Sequence, residues 1–233
     1  MRFKAPIWAA AAGIALVVSS AIPASAAVSD AQIQAARDAA VTRAEAAKLG
    51  IKADVSTFTV TDVRSAKGTR ADIADIWLCD SPTGANIKVP GSRVQFTSVH
   101  SQLDGLLMRN VEQTTYQYAS AKQARAAYKA LTTEAKKCSG TQTEAEGNFS
   151  FSTTLSNGTS KVADGDSVVW VLTEGSSGTG TKDYTSHDYG TFHLDGDVIV
   201  AVEIDHDGPD APVITAAQRK QANELACDSV HRS

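Results

Sequence analysis

The sequence predicts an α+β fold: an antiparallel sheet of about six or seven strands packed against about three helices and stapled by a disulfide. Three observations carry this. Asx-Gly pairs at Asn157-Gly158, Asp164-Gly165 and Asp195-Gly196 separate strand-like segments, and such pairs supply the positive φ angles of type I′ hairpin turns. The runs Val168–Leu172 and Val198–Val202 are apolar without a break, as strands buried on both faces are. Three segments show helical periodicity behind capping boxes, and a sheet buried on both faces needs helices on both sides.

With 233 residues, 42% hydrophobic and 21% charged, the composition excludes a polytopic membrane protein, a disordered acidic chain and a fibrous repeat. Arg2 and Lys4 precede an apolar stretch from Ala5 to Val18, followed by Pro23 and Ala24-Ser25-Ala26. This order predicts a signal peptide over residues 1–26, removed after Ala26. Cleavage takes away two positive charges from a chain of formal net charge −4, so the mature protein is mildly acidic. Such a sign offers no footprint for nucleic acid, and no membrane insertion is expected once the signal is gone.

Residues 27–70 then hold an N-terminal helix and a first strand, and residues 71–233 the remainder of one structural domain. The helix runs from about Asp30 to Leu49, with Ser29 and Gln32 as its capping box and Gly50 as its stop. Its stripe of Ile33, Ala36, Ala40, Ala44 and Ala47 buries little area, which predicts loose docking. Val55–Val63 alternates as a half-buried strand does. A short strand around Val94–Val99 and a long one from Leu106 to Tyr118 lead to a helix opened by Ser120 and Gln123 and ending at Cys138. Glu174–Gly190 reads as a flexible Gly/Ser loop whose return edge carries Tyr184, His187 and Tyr189, the candidate ligand loop. A last helix is opened by Thr215 and Gln218.

Export implies an oxidising compartment, so Cys79, Cys138 and Cys227 are read first as disulfide candidates. Cys138 continues the apolar stripe of its helix. Cys227 lies about 200° around the last helix from Leu225, among Lys220, Asn223 and Glu224, and is expected to face away from the core. The preferred pair is therefore Cys79 with Cys138, a loop closure that stabilises by roughly 4 kcal/mol, leaving Cys227 as the remaining thiol. Pairing of Cys79 with Cys227 is the alternative.

Tests for catalytic signatures return nothing. Gly175-Ser176-Ser177-Gly178-Thr179 lacks the last glycine of a nucleophile elbow and the spacing of a P-loop. The five histidines are scattered, with no grouping of zinc-ligand spacing, and no metal or cofactor is expected. Asp205, Asp207 and Asp210 form the best acidic cluster, a weak calcium candidate that a solvated turn explains as well.

Trp77 and Cys79, Val111–Tyr118 running into Ser120-Ala121-Lys122-Gln123-Ala124 and on to Cys138, Gly165-Asp166-Ser167-Val168-Val169, and Leu194–Val202 before a last helix together resemble the PknH-like extracellular sensor domain family of actinobacteria. The resemblance implies an antiparallel sheet with packed helices, disulfides and a cleft for an unknown extracellular ligand; it supplies no catalytic residues. The chain departs from the kinase members in having no kinase motif, no transmembrane helix after cleavage and too few cysteines for two bridges. The expectation is a secreted, non-catalytic binding or sensor-like module of the cell envelope or medium, its partner an unknown small molecule or envelope component. A secreted hydrolase and a structural or inhibitory protein are the alternatives.

Overall fold

Capping chemistry sets the first elements. The computed structural model describes residues 28–62, 92, 94–137, 140–146, 149–162, 166–178 and 184–231. Ser29 accepts from the backbone of Gln32, whose side chain accepts in return, and α1 (Asp30–Ala39) begins there. The chain does not continue helical to Leu49. Ala40 is extended, and Thr42 and Glu45 build a second capping box that opens α2 (Arg43–Lys48). Capping a new N-terminus satisfies donors that a broken helix would leave orphaned. The break also turns the backbone of Val41 toward the sheet, where its N–H donates to Gln113 Oε1 at 2.7 Å and its carbonyl accepts from His100 Nε2 at 2.6 Å. Docking is therefore tight rather than loose: Ala39, Val41, Ala46, Leu49 and Ile51 are all buried.

Eight strands follow among the described residues: β1 (Val55–Asp62), β2 (Val94–Asp104), β3 (Leu107–Gln117), β4 (Gly140–Glu146), β5 (Phe149–Lys161), β6 (Ser167–Gly178), β7 (Tyr184–Asp195) and β8 (Val198–Pro209). Helix α3 (Ala121–Lys137) connects β3 to β4, and α4 (Ala216–His231) follows β8. The strands form one antiparallel sheet in the order β1-β2-β3-β8-β7-β6-β5-β4. The α+β expectation holds, with one or two more strands than expected and four helices among the described residues.

Alternation assigns the two faces. Val169, Val171, Phe192, Ile199 and Ala201 pack with Ala124, Ala127 and Leu131 of α3. On the other face Val111, Val200, Val202 and Ile204 pack with Leu225 and Ala226 of α4 and with Val41, Leu49 and Ile51. The apolar runs of β6 and β8 are thus buried on both sides, as their lack of alternation implies.

Three local expectations are corrected. Asn157-Gly158 is not a turn: β5 passes straight through it, and Gly158 lies opposite Trp170. A Cβ on Gly158 would sit 2.7 Å from the indole ring, so close approach, not turning, explains the glycine. Glu174–Gly190 is mostly strand, since β6 runs to Gly178 and β7 starts at Tyr184; the Ser and Thr residues of these two strands are paired across strands and give a strand the composition of a solvated loop. Cys227 does not face away from the core but is 1% exposed. The reason is that polar neighbours on α4 also turn inward: Asn223 accepts from the Tyr189 hydroxyl, and Ser229 donates to Gln113. Asp195-Gly196 does form the β7–β8 turn, with Gly196 at φ +52°.

Cys79, Cys138 and their expected bridge, the signal segment and Asp164-Gly165 lie outside the described residues. No helix among the described residues is long and apolar enough to cross a membrane.

Candidate functional site

The β7–β8 turn fixes a register, and the register gathers carboxylates. Counting seven residues back from Asp195 and seven on from Val198 sets Asp188 directly opposite Asp205. On the far side of β8, Asn110 of β3 pairs with Asp205 and Glu112 with Glu203. Asp207 follows Asp205 by one pleat. All six side chains share the sheet face that α3 covers further along, where Ala201 and Ile199 of the same strand touch the helix.

Like charges directly opposite each other oppose folding, and here two acidic pairs stand side by side. The Asp188 carboxyl is pushed well above the usual carboxylate range, first by burial, then by its hydrogen bond to Asp205 and the charges of Asp205 and Glu203. Ser186 donates to its Oδ2 at 3.2 Å and works the opposite way. Burial, with the charges of Glu112 and Asp205, raises Glu203 to about 7. The side-chain amide of Asn110 donates to Asp205 at 3.1 Å, while its own carbonyl oxygen is buried with no hydrogen-bond partner among the described residues. Among those residues no Lys or Arg forms an ion pair with any of these carboxylates.

An apolar rim borders the acidic row. Leu103 and Met108 are cross-strand partners on this face, 66% and 37% exposed, and Leu106 in the turn between them is 73% exposed. Tyr184 stands across β8 from them and hydrogen-bonds Asp207; partial burial, that bond and the charges of Asp207, Asp205 and Asp188 push its hydroxyl up to about 12.

The residues singled out from sequence divide between this face and elsewhere. Tyr184, Asp205 and Asp207 come together here. His187 points to the opposite face, across from His206 and 3.8 Å from Glu174. Tyr189 is core: it stacks on Trp170 and its hydroxyl bonds Asn223. Asp210 is exposed in the turn after β8, at φ +56°. Among the described residues, Asp205, Asp207 and Asp210 do not bring three oxygens within 4.8 Å of one another. Asp188, Glu203 and Glu112 were missed by sequence reasoning, although the Asp195-Gly196 turn held the signal for Asp188: equal counting outward from it pairs that residue with Asp205.

The sequence matches no family model, and no curated protein matches it. Among solved structures the chain is similar to the extracellular domain of PknH from Mycobacterium tuberculosis, with a TM-score of 0.52 at 14% identity, covering 88% of this chain and 96% of that one. The likeness is one of fold. It agrees with the sheet-and-helix arrangement that the sequence resemblance to PknH-like sensor domains implies, and at this identity it carries no ligand across.

Proposed function

We propose that the protein is a secreted, non-catalytic binding or sensor-like module of the cell envelope or medium, and that its ligand is cationic with an apolar portion. One observation carries the reading: two acidic pairs, Asp188 with Asp205 and Glu112 with Glu203, stand side by side with no Lys or Arg paired to them among the described residues. A bound cation would relieve a repulsion that the empty fold must otherwise absorb by holding a proton. The acids are spread along two cross-strand rows and do not converge on one point, which suits an ammonium or guanidinium group better than calcium, whose oxygen ligands close around a single centre. Leu103, Leu106 and Met108 supply the apolar contact. The PknH extracellular fold supports the sensor-like part of this reading, and the signal-peptide pattern supports secretion.

The test is a thermal-shift series at pH 7.5 with octylamine, butylamine and octanoate. Octylamine should raise the melting temperature most, butylamine less and octanoate not at all, by preferential binding to the folded state. The Asp205→Asn variant should lose most of the octylamine shift. Equal shifts with the amine and the carboxylate, or an undiminished shift in the variant, would reject the site. N-terminal sequencing of the exported protein should begin at Ala27.

A further inference from the structure

Three donors from distant parts of the chain meet on the sheet face opposite the carboxylates. His193, on β7, is 4% exposed and turned toward α4. Its Nε2 lies 3.4 Å from Oδ2 of Asp166, which stands just before β6. Cys227 of α4 brings its Sγ to the same place, so that one ligand atom from each of the three residues lies within 4.8 Å of the other two. No sequence spacing reveals the group, because the strand pairing of β6 with β7 and the inward turn of α4 assemble it.

The geometry separates two chemistries. In a nucleophile–histidine–acid relay, the nucleophile and the acid address opposite nitrogens of the imidazole, so that a proton passes through the ring. Here the carboxylate addresses Nε2 at 3.4 Å, the thiol joins the two within 4.8 Å, and Nδ1 is buried with no hydrogen-bond partner among the described residues, so no relay runs through the ring. Convergence of three donors on a common point is the arrangement of metal ligands.

We infer that Asp166, His193 and Cys227 form a transition-metal site, with zinc the divalent ion its donors suit best. Thiolate, imidazole and carboxylate are the usual zinc ligands, and bonds of about 2.0–2.3 Å place tetrahedral donors roughly 3.5 Å apart. The His193–Asp166 separation already meets this, and the thiol is within 4.8 Å. On binding, the Cys227 thiol gives its proton to solvent and the resulting thiolate bonds the metal, so no redox partner is required. Three protein ligands leave the fourth position open. The Asp166 side chain is 45% exposed, so that position is reached from solvent by water or an exogenous ligand. The site lies on the far face of the sheet from Asp188 and Asp205 and does not depend on them.

Chelator-treated protein titrated with Co2+ should take up one equivalent, release protons and develop a thiolate-to-cobalt charge-transfer absorption, the signature of a cysteine ligand; Zn2+ should displace the cobalt and raise the melting temperature. Cys227→Ser should abolish the charge-transfer absorption. Asp166→Asn, at a half-exposed position outside the core, should fold normally and weaken zinc binding at least tenfold. Absence of the charge-transfer absorption, unchanged affinity in Asp166→Asn, or non-reducing peptide mapping that finds Cys227 in a disulfide would each overturn the assignment.

Discussion

Asp188 keeps its proton because three unfavourable circumstances coincide: burial, an acidic cross-strand neighbour and a second acid one pleat away. Its folded-state affinity for protons exceeds that of the unfolded chain, and Glu203 is shifted in the same direction. Stability contributed by these groups is therefore complete below the ordinary carboxylate range and is lost as pH rises through about 7 and beyond. The melting temperature should fall between pH 5 and pH 8, and Asp188→Asn should flatten that slope and stabilise the protein at pH 8 by about 1–2 kcal/mol; a steeper slope in the variant would contradict the assignment. Gly158 tests packing in the same way. Trp170, stacked on Tyr189 with ring centroids 6.1 Å apart, has little room to retreat from an added methyl. Gly158→Ala should cost about 1–3 kcal/mol in urea unfolding and alter the near-ultraviolet circular dichroism of the indole.

At the scale of elements, the joint between α1 and α2 is held by two side chains, Gln113 and His100. Gln113 accepts from Val41 N–H and from the Ser229 hydroxyl, and its amide donates to the carbonyl of Ala39 at 3.4 Å. It thereby ties the N-terminal helices and α4 to β3. His100 reinforces the joint by donating to Val41 and accepting from Ser56, whose hydroxyl in turn accepts from Arg43. Gln113→Leu preserves volume but strands buried partners, so a loss of about 1–3 kcal/mol is expected by chemical denaturation. The capping box of Ser29 was legible in the sequence, whereas that of Thr42 and Glu45 was hidden: an alanine-rich stripe continues through the break, and only the pull of Gln113 and His100 makes two short helices better than one long one. The inward face of α4 was hidden for a related reason. Asn223 and Ser229 look solvent-facing until Tyr189 and Gln113 are there to receive them.

Over the whole molecule, β8 occupies the centre, paired with β3 on one side and β7 on the other and covered on both faces. Amides of Val200–Ile204 should exchange slowest with solvent deuterium and those of β1 and β4 fastest; comparable protection throughout would argue against this core. The strand character of β6 and β8, the α3 boundaries and the final turn could be read from local pattern, because burial on two faces and turn chemistry leave direct marks in composition. The acidic face was half legible. Asp205 and Asp207 drew notice as neighbours in sequence, but Glu112 joins them only through the pairing of β3 with β8, which spans some ninety residues of chain. The Asp166–His193–Cys227 group left no mark at all, since each member comes from a different element.

Among the described residues the sheet is open, and β1 and β4 each have one neighbour. A strand with a vacant flank invites addition of another molecule. A formal net charge of −4 at pH 7 holds copies apart near neutrality, and that charge declines on acidification. The protein should consequently self-associate most readily in the acidic range where its individual fold is firmest, so light scattering and melting temperature ought to rise together as pH falls.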